Sequence, residues 1–87
     1  MKVRNIKVVS CEDTNIDDSV VDELYYNCGG DSVYGRFFKV EFLKGLVNDY
    51  VEELDWYDKG EDEFDIKVRG VLEEVNKLDS EWYVEFE

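Results

Sequence analysis

The sequence predicts a small α+β domain in which two helices pack on one face of a mainly antiparallel sheet. Three observations support this class. The 87 residues are enough for a modest core, so residues 1–87 are expected to form one domain. The hydrophobic content of 44% and the aromatic content of 15% are too high for charge-driven disorder. Apolar residues recur with the strand period in some segments and with the helix period in others, in the order β-α-β-α-β-β.

The first two elements are a strand and a helix. Residues 1–10 interleave apolar and basic side chains, which predicts a strand over Met1–Ser10. A helix over Thr14–Asn27 is predicted because Ile16, Val20 and Leu24 recur at every fourth position.

Both boundaries of this helix carry a sequence signal. Thr14 is the expected N-cap, and Asp17 follows three residues later as in a capping box. The sequence Asn27-Cys28-Gly29-Gly30 is typical of a helix end, because glycine accepts the left-handed conformation found there.

The next two elements overlap in pattern. Alternating apolar residues favour a strand at 33–42, whereas an apolar stripe from Val40 to Leu54 favours a helix. We expect a strand through about Glu41, followed by a helix over Leu43–Tyr57.

The last two elements are predicted to be strands. Apolar residues alternate from Phe64 through Ile66 and Val68, which predicts a strand over Phe64–Leu72. Alternation returns over Trp82–Phe86. With a turn at Asn76–Ser80 between them, these two runs are expected to form an antiparallel hairpin.

Net charge is the strongest feature of the composition. Twenty-three acidic residues against ten basic ones give −13, beyond the magnitude of about 2–8 that suffices for solubility. Thirteen charges correspond to roughly 22 Å of duplex DNA, and a folded chain of this length should be about 30 Å across. The charge per unit length is therefore expected to approach that of DNA, and direct binding to nucleic acid or an anionic membrane is disfavoured.

The chain lacks the residues and motifs that enzymes, metal sites and cofactor sites usually contain. The chain has no histidine, which is the usual general base near neutral pH, and no nucleophile-elbow, phosphate-loop or dinucleotide-binding motif. The loop starting at Asp55 fails as a calcium loop because Tyr57, Lys59 and Ile66 occupy ligand positions. We therefore expect no catalytic activity, metal or cofactor; a small carboxylate-based enzyme is the remaining alternative in this class.

The cellular compartment is predicted from cysteines and hydropathy. The start MKVRNIKVVS lacks the apolar core of a secretory signal, and no segment approaches the ~20 apolar residues of a membrane span. We therefore expect a cytoplasmic protein with free thiols at Cys11 and Cys28, although the sequence also permits a disulfide between them.

The acidic residues occur in blocks. The first predicted helix contains acids but no lysine or arginine, and the segment 49–65 contains nine acids against one lysine. Asp18 and Asp22 are one turn apart, as are Asp49 and Glu53, so each helix should present a row of carboxylates about 6 Å apart. Such like-charge pairs cost a few tenths of a kcal/mol each, roughly, which solubility alone would not require.

These rows, a third row on the last strand and the aromatic residues beside them form the predicted contact surface for a partner protein. Aromatic residues are included because they are enriched in binding hot spots. The alternative is that the acids only keep the domain soluble and the aromatic residues cover the edge of the core. The residues expected to contact a partner are Asp18, Asp22, Asp49, Glu52, Glu53, Asp55, Trp56, Tyr57, Asp58, Glu61, Asp62, Glu63, Asp65, Glu81, Tyr83, Glu85 and Glu87.

In size, acidity, absence of histidine and proline, and α+β pattern, the chain resembles the small phage-encoded DNA-mimic inhibitors. That group includes anti-CRISPR proteins, blockers of HU-type nucleoid proteins and inhibitors of uracil-DNA glycosylase. The resemblance lies in overall composition and carries no motif, so no site is transferred residue by residue. It implies a basic DNA- or RNA-binding partner in the cytoplasm of a host bacterium, whose nucleic-acid groove the acids would occlude.

A second hypothesis is an immunity- or antitoxin-type inhibitor of a basic nuclease or other toxin. Such an inhibitor also uses acids, but aromatic anchors at the centre of the interface contribute more than charge. The composition leaves open whether the chain forms a homodimer.

Overall fold

The computed structural model describes residues 6–56 and 62–87. Within them the order of regular elements is β-α-β-α-α-β, which confirms the α+β class and corrects the predicted order. The elements are β1 (Val8–Ser10), a 3-10 turn (Cys11–Asp13), α1 (Asp18–Asn27), β2 (Arg36–Lys39), α2 (Val40–Trp56), α3 (Glu63–Asn76) and β3 (Tyr83–Phe86).

The sheet is mixed, with β3 between the other two strands. β1 runs parallel to β3, with Val8 opposite Tyr83. β2 runs antiparallel to β3, with Arg36 opposite Phe86. The prediction of a mainly antiparallel sheet with a terminal hairpin is therefore wrong, because the segment expected to pair with the last strand is not a strand.

The core lies between one face of the sheet and the helices. Val84 and Phe86 point from the central strand into this core and are fully buried. Their neighbours Tyr83 and Glu85 alternate onto the opposite face, where they are half-buried and Phe37 is exposed. The helices thus cover one face of the sheet, as predicted, and none of the described helices covers the other.

The predicted strand over Phe64–Leu72 is wrong, since this segment lies within α3. The helix buries Val68, Val71 and Val75 and leaves Ile66 60% exposed. These buried positions follow the helix period of 3.6, whereas a strand would have placed Ile66 in the core. The chain therefore has three helices within the described residues instead of the two expected.

The start of α1 differs in detail from the predicted capping box. Asp17 is the N-cap, and its carboxylate accepts hydrogen bonds from the Ser19 N–H at 3.1 Å and the Ser19 hydroxyl at 2.6 Å. Thr14 stabilises the preceding turn instead, donating to the Cys11 carbonyl at 2.7 Å. The predicted end is confirmed: α1 stops at Asn27 and Gly29 has a φ of 90°.

The first two strands, β1 and β2, are shorter than predicted. β1 begins at Val8, and residues 1–5 lie outside the described residues. β2 ends at Lys39 because α2 begins at Val40 and not at Leu43. The first N–H groups of a helix lack intrahelical partners. Here the N–H of Val40 donates to the Trp82 carbonyl at 2.8 Å, which ties the start of α2 to the sheet.

The helical assignment of α3 gives a test by paired substitution. Val71→Ala should lower the free energy of unfolding by about 2 kcal/mol, because it removes buried methyl groups and leaves a cavity. Ile66→Ala should change it by less than about 0.5 kcal/mol, because Ile66 is largely exposed. Urea denaturation measures both. A larger loss for Ile66→Ala than for Val71→Ala would restore the strand interpretation.

Candidate functional site: the acidic helical face

The basic side chains pair with a limited set of acids. Lys39 lies between Glu81 and Glu41, with its Nζ 3.3 Å and 3.6 Å from their carboxylate oxygens. Three further pairs within residues 6–56 and 62–87 are Arg36 with Asp31 at 3.9 Å, Lys67 with Glu63 at 3.7 Å and Lys77 with Glu74 at 3.0 Å. Two predicted contact residues, Glu63 and Glu81, are therefore partly neutralised within the chain.

Four other acids form a surface without such partners, which we call the acidic helical face: Glu23 of α1 and Asp49, Glu52 and Glu53 of α2. All four are exposed. Over residues 6–56 and 62–87, none of them has a lysine or arginine nitrogen within 4.0 Å. No lysine or arginine occurs anywhere in α1 or from Gly45 to the end of α2. The described part of the molecule thus separates its charges.

The acidic helical face is continuous across the two helices. Asp49 and Glu53 line a cavity of about 400 Å³ between α1 and α2, opposite Leu24 and Asn27. Glu23 lies close enough to Tyr50 of α2 for its charge to act on the Tyr50 hydroxyl. Three of the predicted contact residues, Asp49, Glu52 and Glu53, are therefore brought together with Glu23, which was not among the residues predicted to contact a partner.

A second acidic cluster lies at the N-terminal end of α1. Asp18 lines a depression of about 160 Å³ together with Glu12 and Glu87. The pKa of the nearby Tyr34 hydroxyl is raised by loss of solvent and by the Asp18 carboxylate. The structure therefore brings together two predicted contact residues, Asp18 and Glu87, from opposite ends of the sequence.

Two predicted contact residues have structural roles instead. Asp65 is only 5% exposed and accepts a hydrogen bond from the Tyr50 hydroxyl at 3.0 Å, so it lies inside the α2–α3 interface and not on the acidic surface. Asp22 is half-buried, and its carboxylate accepts the Val33 N–H at 2.9 Å. This bond fixes the loop between α1 and β2 and occupies one carboxylate oxygen.

The acids of β3 lie away from the acidic helical face. Glu85 and Tyr83 are half-buried on the open side of the sheet, opposite the helices. Glu87 is exposed and accepts a hydrogen bond from the Ser10 hydroxyl at 2.8 Å. The helical and strand acids were expected to act as one surface, but the structure brings only Glu87 close to a helical acid, Asp18, and places Glu85 on the other side of the sheet.

The remaining predicted contact residues fall at the junction of α2 and α3. Asp62 is the exposed residue before α3, and its side chain makes no capping hydrogen bond. The others lie outside what the structure describes: Tyr57, Asp58 and Glu61 entirely, and Asp55 and Trp56 in their side chains.

A groove with an aromatic end was not anticipated from the sequence. A cavity of about 620 Å³ adjoins the one beside Glu53 and shares with it Cys28, Leu46 and Asp49. Tyr25 and Phe42 close its far end, and their ring centroids are 6.2 Å apart in an edge-to-face arrangement. We call the two cavities together the α1–α2 groove. The apolar stripes of α1 and α2 could have predicted that the two helices pack together. The open groove between them depends on how the helices are positioned in the fold, which the sequence pattern does not give.

The two cysteines differ in accessibility, and both are free. Cys28 is exposed in the α1–α2 groove. Cys11 is buried, and its thiol lies 3.5 Å from the Ile16 carbonyl oxygen. Burial, opposed by the neighbouring Thr14 side chain and reinforced by nearby acids, raises the pKa of Cys11 to about 11. Cys28 is therefore the more accessible thiol.

The dimensions of the molecule refine the comparison with DNA. The longest axis is 47 Å and the other two are 24 and 23 Å, so the molecule is longer than the 30 Å expected. A net charge of −13 along this axis is one charge per about 3.6 Å. Duplex DNA has one charge per ~1.7 Å and a single strand one per ~3.4 Å. The mean charge per unit length of the protein thus matches that of a single DNA strand, and it is higher only where acids cluster.

The described residues show neither a metal cluster nor a membrane span. No group of three or more cysteine, aspartate and glutamate side chains in 6–56 and 62–87 is placed to hold a metal ion. None of the helices in those ranges is both long and apolar enough to cross a bilayer.

Comparisons with known proteins add no relative: no family model matches the sequence, and no curated protein or solved structure is significantly similar to it.

The Tyr50–Asp65 contact predicts a pH effect on stability. Burial, followed by the Asp65 carboxylate, raises the pKa of Tyr50 to about 12, above its usual value of about 10. The folded state therefore favours the neutral Tyr50 hydroxyl. The contribution of this group to the free energy of unfolding is complete below pH 10 and is lost as the pH rises to 12.

Tyr50→Phe should therefore lower the free energy of unfolding by about 1 kcal/mol at neutral pH, since the Asp65 carboxylate loses its partner. Its stability should fall less steeply from pH 10 to 12 than that of the unsubstituted chain. Tyr26→Phe, at a position 70% exposed, is the matched control. Urea titrations at each pH measure the effect, and equal slopes for all three proteins would contradict the assigned contact.

Proposed function

We propose that the chain is an acidic protein-binding inhibitor that covers the basic nucleic-acid-binding surface of another protein. The acidic helical face carries this proposal: α1 and the second half of α2 present exposed carboxylates that have no lysine or arginine nitrogen within 4.0 Å among the described residues. Self-repulsion of this kind weakens a small fold. A partner that supplies lysine and arginine would relieve the repulsion and gain complementary contacts.

The spacing of the carboxylates also supports the proposal. Asp49 and Glu53 lie one helical turn apart, about 6 Å along the helix axis, which is close to the ~6.8 Å that two nucleotides of one strand rise along the axis of duplex DNA at 3.4 Å each. The side chains that neutralise phosphates can therefore meet these acids at a similar spacing. Binding should be fast and should weaken as salt rises.

The proposed function predicts release of DNA from a basic partner. Labelled duplex DNA is bound to an HU-type protein, a uracil-DNA glycosylase or an RNA-guided CRISPR nuclease, and the chain is added while fluorescence anisotropy is followed. At least one partner should release its DNA, and the effect should weaken by about tenfold or more between about 50 and 500 mM salt.

Matched variants assign the effect to the acidic helical face. The triple variant Asp49→Asn, Glu52→Gln, Glu53→Gln should release DNA at least about tenfold less effectively. Its control, Asp31→Asn, Glu74→Gln, Glu81→Gln, removes the same number and type of charges from acids paired with Arg36, Lys77 and Lys39, and it should act like the unsubstituted chain. Equal losses in the two variants, or DNA that stays bound in the complex, would refute the proposal.

An immunity- or antitoxin-type inhibitor is the second candidate, favoured by exposed aromatic residues near the acids. Tyr26 is 70% exposed and Phe42 is 46% exposed, and Phe42 lines the α1–α2 groove that contains Asp49. Anchors of this type dominate tight inhibitor interfaces. In that case Tyr26→Ala and Phe42→Ala should weaken inhibition of a nuclease toxin more than the triple charge variant does.

A further inference from the structure

The α1–α2 groove has a shape that charge mimicry does not explain. Its floor is apolar, with Leu24 and Leu46 from the two helices, and one end is closed by the rings of Tyr25 and Phe42. The carboxylates lie along one side, where Asp49 and Glu53 occupy successive turns of α2. A purely electrostatic surface would not require this apolar channel beside the acids.

The larger cavity of the groove is closely packed at Tyr25 and open at Gly45. A Cβ atom at Gly30 would lie 2.5 Å from ring carbons of Tyr25, so the turn after α1 packs directly against this ring. The ring also meets Phe38 of β2 at a centroid distance of 5.0 Å. At Gly45, by contrast, a Cβ would meet nothing within 4 Å. The absence of a side chain at Gly45 leaves the larger, 620 Å³ cavity of the groove accessible.

We propose that the α1–α2 groove binds a basic amphipathic helix of a partner protein. An apolar side chain of that helix would enter above Gly45, and lysine or arginine residues one turn apart would meet Asp49 and Glu53. Charge complementarity selects this occupant, because the acids on the rim require cations and the floor requires an apolar group. A second copy of the chain, with a net charge of −13, would bring like charges together.

This inference rests on the proposed function only for the sign of the partner's charge. It adds that recognition needs a protruding helix with an apolar stripe, whereas a flat basic surface would satisfy the acidic helical face alone. Charge and shape can therefore be tested separately.

The probe is a pair of synthetic peptides of about 14 residues, or four helical turns. One places leucine on a single helical stripe among lysines, and the other has the same composition in scrambled order. Their dissociation constants are measured by isothermal titration calorimetry at constant salt. The striped peptide should bind at least about tenfold tighter than the scrambled one.

Two glycine variants locate the site without changing charge. Gly45→Gln places a side chain in the larger cavity of the groove and should weaken binding of the striped peptide at least about tenfold. Gly70→Gln, at an equally unobstructed position on α3, is the matched control and should bind normally. Glutamine favours helices more than glycine does, so both variants should remain folded.

A second readout uses the accessible thiol. The buried Cys11 has a pKa raised to about 11, so alkylation at neutral pH should occur at Cys28, which lines the groove. The striped peptide should slow alkylation of Cys28, as detected by mass spectrometry, and the scrambled peptide should not.

The outcomes separate the two proposals. Equal affinity for the two peptides, no binding of the striped one, or equal effects of Gly45→Gln and Gly70→Gln would overturn the groove proposal. If Gly45→Gln still releases DNA from a basic protein while losing the peptide, the peptide site is supported but is not the inhibitory surface. If the striped peptide binds but no DNA is released from any partner, the proposed function fails and the groove assignment stands.

Discussion

The pairing of β3 between β1 and β2 is the constraint on which the rest of the structure depends. It points Val84 and Phe86 into the core and gives the helices one apolar face to cover. It also anchors α2, whose first N–H groups donate to the carbonyls of Ser80 and Trp82. Because α2 is held there, its second half lies against α1, and this contact creates both the acidic helical face and the α1–α2 groove.

The charge distribution follows from how the chain uses its few basic residues. Within the described residues, the ion pairs involve lysine and arginine side chains of β2 and of α3 and its C-terminal end. The surfaces of α1 and of the second half of α2 therefore remain acidic. Some acids also contribute to folding, since Asp17 caps α1 and Asp65 bonds to Tyr50. The functional interpretation therefore depends on a smaller set of acids than the composition suggests.

The sequence predicted the α+β class, α1 and the stripe of α2, because these depend on local spacing. It failed at α3, since residues four apart, such as Phe64, Val68 and Leu72, fit both a strand and a helix. Only Val71 and Val75, at odd spacings from these, identify the helix. The carboxylate rows were foreseen for the same local reason. The burial of Asp65 was not, because its hydrogen bond joins residues 15 positions apart, and such a contact leaves no periodic signal.

The parallel pairing of β1 with β3 also affects how the chain folds. Its ladder joins the two ends of the described sequence, and Ser10 bonds to Glu87 across 77 positions. Closing so large a loop costs chain entropy before any contact compensates, so the helices, built from local contacts, should form before the sheet. During that interval the apolar sides of the helices are uncovered. Mutual repulsion among the many anionic chains would then oppose their aggregation, which gives the acidity a role in folding that is independent of any partner.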